Sequence, residues 1–384
     1  MSYLDTLLEG VEVEWTVLGN ETFIEIANSG RKPVKSDLRI AGDIPYYGAN
    51  NIQDYVEGFT HSGEYILIAE DGTQSIENYS IQWAIGKFWA NNHVHVIRGK
   101  DSLNSRFLYH YLKQVNFVPF LSGGGRAKLT RGELEKIPIP IPSLAVQKEI
   151  VRILDKFTEL TAELTAELTA RKKQYEYYET KLLFDNSFEM IPLSQLCTVN
   201  QGLQIPINER KTEDGENRYF YITVQFLKGN DVNYFIESPL QSVICYEDDI
   251  LVTRTGSTGK IITGVKGCFH NNFFKVNCFE NIINKRYMYC VLNSKVMYGK
   301  LLHAASGGTV PDLPHNKFYK ITIPVPSIKE QERIVSILDK FDILTSSISE
   351  GLPKEIELRK KQYEYYRDLL ITFPSLRSVG EANQ

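Results

Sequence analysis

The sequence predicts an α+β chain built twice: two globular domains of one fold, each followed by a long helix. Three observations carry that prediction. IPIPIPSLAVQKEIVRILDKF (Ile137 to Phe157) returns as ITIPVPSIKEQERIVSILDKF (Ile321 to Phe341), and RKKQYEYY stands at both Arg171 to Tyr178 and Arg359 to Tyr366. Identity of whole phrases marks an internal duplication. The separation of 184 residues between Ile137 and Ile321 also lays ILIAEDG (Ile66 to Gly72) on ILVTRTG (Ile250 to Gly256), and SGG at Ser122 on SGG at Ser306. At a separation of 180, NNHVHV (Asn91 to Val96) falls on NNFFKV (Asn271 to Val276), and RFLYHYL (Arg106 to Leu112) on RYMYCVL (Arg286 to Leu292).

Within each copy the first part reads as β-structure. EYILIA, HVHVI, DDILVT and KIITGV are short β-branched runs set apart by Gly, Asn and Asp, the pattern of strands and turns. RFLYHYLKQV and RYMYCVLNSKVMYGKLL carry apolar residues three and four apart, the spacing of short helices. The α+β cores are expected at about residues 10–136 and 191–320. With flanking segments, the divisions are 1–142, 143–184 (first helix), 185–326, 327–372 (second helix) and a tail at 373–384. The alternating prolines of IPIPIP and ITIPVP disfavour helix and central strand, and mark a stiff extended exit from each domain.

The helices show a sustained heptad seam. In the first copy it comprises Ile150, Leu154, Phe157, Thr161, Leu164, Leu168, Arg171, Tyr175, Tyr178 and Leu182, at alternating steps of four and three. The second copy repeats it with Ile334, Leu338, Phe341, Thr345, Ile348, Leu352, Ile356, Arg359, Tyr363, Tyr366 and Leu370, adding one more four-residue step. Such a stutter locally unwinds a supercoil. A break is expected near 350–353, where Gly351-Leu352-Pro353 interrupts the run. Ser327 and Glu330 have capping-box spacing, whereas the first copy keeps Ser143 but has Val146. Thr161-Ala-Glu-Leu and Thr165-Ala-Glu-Leu form a tandem unit inside the first helix. Each unit is worth about 6 Å of helix, so it is a ruler as well as good helix-forming sequence.

Composition narrows the function. At 384 residues the chain exceeds a single core. No run reaches the ~18 apolar residues of a membrane span, and MSYLDTLLEGVEVEW lacks a basic stretch followed by an apolar one. A cytoplasmic protein with no membrane partner is expected. The five cysteines, Cys197, Cys245, Cys268, Cys278 and Cys290, are odd in number and lack CxxC spacing, which argues for reduced thiols rather than disulfides or zinc. The net charge of -4, from 43 basic and 47 acidic residues, means that any nucleic-acid binding must come from local patches or partner subunits.

No stretch of the sequence completes a catalytic or cofactor motif. GSTGK (Gly256 to Lys260) has Arg254 where a phosphate loop needs its first Gly, and Ile261 follows the Lys. Gly123 to Gly125 fails the dinucleotide pattern. His93 and His95 have no third metal ligand at suitable spacing. What remains is loops of DNA-contacting residue types: Tyr46, Tyr47, Asn50 and Asn51 in a polar-aromatic turn; Asn91 and Asn92; Arg126, Lys128 and Arg131; Arg254, Thr255, Ser257 and Lys260; Asn271 and Asn272; and Ser306 with Thr309.

The twin proline straps, the twin ILDKF…RKKQYEYY helices and the TAEL units resemble the DNA-specificity subunit of a type I restriction-modification system, in the class whose spacer carries TAEL units. The likeness covers essentially the whole chain, and DDILVTRTGSTGK (Asp248 to Lys260) is similar to one type of recognition domain in that family. The resemblance implies two target-recognition domains joined by two long antiparallel coiled-coil helices, related by a pseudo-twofold. Each domain would read half of a bipartite, asymmetric site in double-stranded DNA. The helices would dock two modification (methyltransferase) subunits, and restriction motor-nuclease subunits would join them. S-adenosylmethionine, ATP and Mg would then sit on those partners, with no cofactor, metal or catalytic residue in this chain. Base-reading residues do not carry over, because such domains differ where their targets differ. The other readings are a specificity-like DNA adaptor of another defence system, or a self-sufficient DNA methyltransferase or nuclease.

Overall fold

The computed structural model describes residues 7–123, 127–226, 229, 233–305, 310–347 and 349–373. It divides into two compact units: Met1–Thr165 with Glu355–Gln384, and Ala166–Lys354. Unit 1 is therefore completed by the end of the chain, and unit 2 is continuous.

Unit 1 holds a six-stranded sheet of β2 (Ile24–Ile26), β3 (Ala41–Tyr47), β4 (Ile52–Val56), β5 (His61–Ala69), β6 (Ile81–Ala90) and β7 (Val94–Gly99). Its order is β2-β7-β5-β6-β3-β4, antiparallel except for the parallel β3–β6 pair. In β5 the run from Tyr65 to Ala69 is wholly buried, because helices cover one face of this central strand and aromatic residues the other. Asn104 caps α1 (Ser105–Leu112) by accepting the amides of Arg106 and Phe107. Thr130 caps α2 (Arg131–Leu134).

The first strap is a strand: β8 (Pro138–Pro142) pairs antiparallel with β1 (Val13–Val17) in a two-stranded ribbon. Each ribbon strand has one unpaired edge, so a missing proline N–H costs no ladder bond there. The long helix α3 (Leu144–Leu183) follows, 40 residues without interruption.

Unit 2 repeats the scheme with shorter strands. These are β9 (Met190–Pro192), β10 (Cys197–Gln201), β11 (Arg218–Ile222), β12 (Phe235–Glu237), β13 (Ile244–Cys245), β14 (Ile250–Thr253), β15 (Ile261–Ile262), β16 (Gly267–Phe269) and β17 (Phe273–Cys278). Two four-stranded sheets result, ordered β10-β17-β14-β15 and β12-β11-β16-β13, with β11–β16 parallel as β3–β6 is in unit 1. The segment RYMYCVLNSKVMYGKLL forms two helices, α4 (Lys285–Asn293) and α5 (Lys295–Ala304), because Ser294 leaves helical geometry and caps the second by accepting Met297 N–H. After α6 (His315–Phe318) the second strap, β18 (Thr322–Pro324), pairs with β9.

The register of the central strands corrects one expectation. Ile66, Leu67, Ile68 and Ala69 face Ile97, Val96, His95 and Val94. Ile250, Leu251, Val252 and Thr253 face Val276, Lys275, Phe274 and Phe273. Val94 thus corresponds to Phe273, a separation of 179 and not 180. The Asn-Asn pairs of the two copies are out of step by one: Asn92 matches Asn271, and His93 matches Asn272. Side-chain direction alternates along a strand, so a one-residue shift would turn every buried side chain outward, and the core keeps the 179 register. The separation of 180 is restored at Asn104 and Asn284, the two helix caps.

The second copy of the repeated helix is broken into α7 (Ile328–Ser346) and α8 (Gly351–Ile371). Gly351 has φ +78°, and a Cβ there would stand 2.3 Å from the Ile343 carbonyl oxygen, so only glycine fits. Pro353 lies in the first turn of α8, where no amide partner is required. Ser327 Oγ accepts Glu330 N–H, and Ser143 Oγ accepts Val146 N–H.

Every described seam residue is buried or half-buried except Tyr178, which is 38% exposed but stacks on Phe341. In unit 1, Ile150, Leu154, Leu370 and Ile371 share the core with Phe107, and Phe157 stacks on Tyr366. In unit 2, Leu183, Ile334 and Leu338 join the core around Tyr287, and Tyr175 meets Phe341 edge-on. Leu164, Leu168 and Leu182 are half-buried, Leu352 and Ile356 buried, and Tyr363 half-buried. The seam threonines Thr161 and Thr345 donate to the carbonyls one turn back, of Phe157 and Phe341. Ile348 lies outside the described residues, as do Met1 to Thr6 and 374–384.

Each domain is fastened to its helix by a buried glutamine. Gln147 Oε1 accepts Asn104 N–H at 2.7 Å, and its Nε2 donates to the carbonyls of Ser102 (3.0 Å) and Pro142 (2.7 Å). Gln331 does the same with Asn284 N–H (2.7 Å), Ile282 (3.1 Å) and Pro326 (2.9 Å). Both are 0% exposed. One side chain thus joins the strap, the cap of the preceding helix and the first turn of the repeated helix.

Candidate nucleic-acid interface

Two of the loops singled out by sequence meet at one junction in each unit, 91–92 with 126–131 in unit 1 and 254–260 with 271–272 in unit 2. In unit 1 the Arg31 guanidinium donates to the carbonyls of Asn92 (3.5 Å) and Val94 (2.8 Å) and to the Glu70 carboxylate (2.6 Å). Lys128 reaches the same carboxylate at 3.2 Å. Next along the chain, Asp71 bonds His93 Nδ1. In unit 2, Gln201 Nε2 takes the place of Arg31, donating to the carbonyls of Asn271 and Phe273. Arg254 stands where Glu70 does and makes two bonds, 2.7 and 3.0 Å, to Asp312. Thr255 donates to Asn272 at 3.0 Å, as the counterpart of the Asp71–His93 pair.

The backbone of the junction is the same in both. Leu129 N–H bonds the Glu70 carbonyl, and Leu313 N–H bonds the Arg254 carbonyl. Asn91 Oδ1 accepts His93 N–H, and His270 Nδ1 accepts Asn272 N–H. At a separation of 184, Glu70–Lys128 has become Arg254–Asp312, an ion pair of reversed polarity on unchanged geometry.

Electrostatics keep these groups in fixed states. Burial works against the Glu70 carboxylate, but the bonds from Arg31 and Lys128 hold its pKa below the usual carboxylate range. The bond to Asp312 raises that of Arg254. His95 is fully buried, and burial lowers its pKa, so the ring is neutral. Its Nε2 must carry the proton given to the Leu129 carbonyl at 2.7 Å, leaving Nδ1 to accept from Asn28. His93 and His95 therefore have separate structural tasks, and no group of three or more metal-ligating side chains occurs among the described residues.

The remaining candidates divide by exposure. Tyr46 and Tyr47 do not form a turn: they end β3, and both are buried, so the expectation that they face DNA is corrected. Tyr46 stacks near Trp89 with its hydroxyl on Val34, while Tyr47 packs edge-on against Phe88, and burial pushes its phenol pKa up. Side chains alternate along the strand, so Tyr46 is buried against Trp89 and Arg39 while Tyr47 enters the core with Phe88. Asn91 is also buried and serves the turn.

Asn50 ties the 72–74 loop by bonding the Gly72 carbonyl and Gln74 N–H. Asn51 is exposed and accepts Ile52 N–H. Asn92, Lys128, Arg131 and Lys260 are exposed, with Arg131 paired to Glu135 at 2.7 Å. Asn271 Nδ2 bonds Gln204 at 3.3 Å. Ser257 and Lys260 belong to the hairpin between β14 and β15, closed by Thr253 Oγ1. GSTGK is thus a strand-to-strand turn, where a phosphate loop would join strand to helix. Arg126, Ser306 and Thr309 lie outside the described residues.

Sequence reading passed over Arg31, Glu70, Asp71, Gln201 and Asp312. The reversed charges at 70/254 and 128/312 were visible in the aligned copies and would have found the junction.

Two α+β domains carrying the same loop junction, each anchored to a repeated heptad helix, define an internally duplicated, two-domain recognition protein. The chain belongs to the type I restriction modification DNA specificity domain family, whose sequence profile matches residues 12–171 and 186–358. It is 49% identical over 388 residues to a Haemophilus influenzae protein carrying the name of a type I restriction enzyme specificity subunit, covering 97% of this chain and 98% of that one. It is 35% identical over 417 residues to the EcoR124I/EcoR124II specificity subunit of Escherichia coli, covering 99% of both. In fold it is similar to the crystal structure of the type I restriction-modification S subunit from M. genitalium, with TM-score 0.59, 18% identity, and 96% and 98% of the two chains covered. A chain from a structure addressing assembly of the type I system gives TM-score 0.53 at 14% identity, with 94% and 97% covered.

Proposed function

We propose that this chain is the DNA-reading subunit of a type I restriction-modification complex, with each unit recognising one half of a bipartite, asymmetric site in double-stranded DNA. The observation that carries the reading is the twice-built junction. Strand register and backbone bonds are held constant while Arg31, Glu70, Asp71, His93 and Lys128 give way to Gln201, Arg254, Thr255, Asn272 and Asp312. A constant frame with exchanged donors and acceptors is what two readers of different base sequences require.

The relatives' names, specificity subunits of type I restriction enzymes, support a place in a multisubunit complex. Two modification subunits would dock on the repeated helices and restriction motor-nuclease subunits would join them, with S-adenosylmethionine, ATP and Mg bound there. Chemistry on the target base would belong to those partners, which take the base out of the stack. The modest net charge of -4 fits a division in which flanking subunits supply most phosphate contacts.

The test is long-read methylation mapping in a host expressing the chain together with its modification subunit. A single split motif with a fixed gap is the expected result. Absence of any methylated motif, or methyl transfer or cleavage by the isolated chain, would overturn the proposal.

A further inference from the structure

A second duplicated device stands beside each junction, and no stretch of shared sequence announces it. In unit 1 the hydroxyl of buried Tyr46 accepts Val34 N–H at 3.0 Å, and Arg39 Nε donates to the Val34 carbonyl at 3.1 Å while its guanidinium lies 4.2 Å from the Tyr46 ring centre. In unit 2 the hydroxyl of buried Tyr221 accepts Ile205 N–H at 3.0 Å. Arg210 donates to the Ile205 carbonyl at 3.0 and 2.8 Å, with its guanidinium 5.0 Å from the Tyr221 ring centre. In both, the arginine lies five residues beyond the residue it grips, and a short 3-10 turn fills the interval, Ser36–Leu38 and Ile207–Glu209.

The clasp is constant and the turn is not. Lys35, Ser36, Asp37 and Leu38 are all exposed, and so are Pro206, Ile207, Asn208 and Glu209. Each turn holds a large apolar side chain out in solvent, Leu38 at 68% and Ile207 at 72% exposure. The apolar residue is third in one turn and first in the other. A lone exposed leucine needs no explanation. A tyrosine and an arginine used twice to hold one out on a rigid turn do need one.

The stems lead straight from the junctions, since Arg31 binds the Asn92 and Val94 carbonyls and Gln201 binds those of Asn271 and Phe273. The segment Arg31 to Arg39 has four cations, Arg31, Lys32, Lys35 and Arg39, against Asp37 alone, in a chain whose net charge is -4. That local excess suits a polyanion.

We propose that the two clasped turns are sequence-discriminating tips, with Leu38 and Ile207 making apolar contact with base edges in the major groove of double-stranded DNA, each serving its own half-site. This rests on the DNA-reading assignment above. The thymine methyl is the groove feature that an aliphatic side chain reads, and the clasp keeps the contact stiff.

Methylation mapping of Leu38→Ala and Ile207→Ala, each in the full chain with its modification subunit, tests the assignment beside the parent. Both side chains are exposed, so neither change removes core. Each variant is expected to lose about fivefold or more of its discrimination at one or two positions. Those positions lie in one half-site for Leu38→Ala and in the other half-site for Ile207→Ala. Motifs identical to the parent's, or a uniform drop in methylation with the motif intact, would overturn the tips while leaving the DNA-reading assignment standing. A parent that directs no methylation would bring down both.

Discussion

Replacing Gln147 with leucine is a severe test of how each domain is fixed to its helix. The substitution keeps the volume but deletes three hydrogen bonds at a site that is 0% exposed. One amide and two carbonyls lose their partner, and each unsatisfied buried group costs about 1–3 kcal/mol. Part is recovered through apolar packing, so the expected loss is about 3–5 kcal/mol. The three tryptophans, Trp15, Trp83 and Trp89, all lie in unit 1, so their fluorescence follows that unit alone while circular dichroism follows both. With a urea slope of about 2 kcal/mol/M, the fluorescence midpoint of Gln147→Leu should fall by roughly 1.5–2.5 M. Gln331→Leu should leave the fluorescence midpoint in place and shift only the dichroism of unit 2. A shift below about 0.3 M in Gln147→Leu, well under the scale of a single lost bond, would refute the latch.

Other predictions concern spacing, charge and pH. Insertion of a further TAEL after Leu168 adds about 6 Å of helix and should lengthen the unspecified gap of the methylated motif without altering either half; an unchanged gap would defeat the ruler. Glu70→Arg alone places a third cation beside Arg31 and Lys128 and should destabilise unit 1 by about 2 kcal/mol. Adding Arg31→Gln and Lys128→Asp restores the arrangement of unit 2, and the fluorescence melt should recover most of the loss.

Acid should weaken unit 1 through His110, which is buried between Asp155 (2.9 Å) and the Tyr363 hydroxyl (2.8 Å). Burial lowers its folded pKa despite the Asp155 bond. The unfolded chain therefore binds the proton more readily, and this contribution is complete above about pH 6.5 and is lost as pH falls through that value toward the folded pKa. His110→Gln should flatten the pH dependence of the fluorescence midpoint between about pH 5 and 7; an unchanged slope would show that other groups carry it.

The duplication and the heptad seams were legible because whole phrases repeat and because burial on a helix follows a fixed period, as Ile150, Leu154, Ile334 and Leu338 illustrate. The helix break was legible too, from Gly351 and Pro353. The strand register was not. Two adjacent asparagines in each copy suggested one alignment, while the pairing of Ala69 with Val94 and Thr253 with Phe273 imposes another. The proline straps read as bare extended segments because their partners, Val13 to Val17 and Met190 to Pro192, are distant and carry no matching signature. Tyr46 looked like a turn residue because local sequence does not reveal that the end of its strand is buried. The Arg39 and Arg210 clasps escaped notice for a related reason: each arginine stands 171 residues from its counterpart and each tyrosine 175, so no single alignment joins them.

Unit 1 is built from both ends of the chain, with Glu355 onward completing what Thr165 leaves unfinished. During synthesis the ribosome must therefore add about 200 residues after Thr165 before Tyr363 reaches His110 and Leu370 fills the space beside Phe107, Ile150 and Leu154. At about 5–20 residues per second that interval is roughly 10–40 s, long enough for unit 2, which is continuous, to fold first. The domain begun earlier is thus the later one to close, its apolar seam left open until the last helix arrives. A premature stop after Lys354 would spare unit 2 and strip unit 1 of its last helix, leaving a chain with one sound reader and one unfinished.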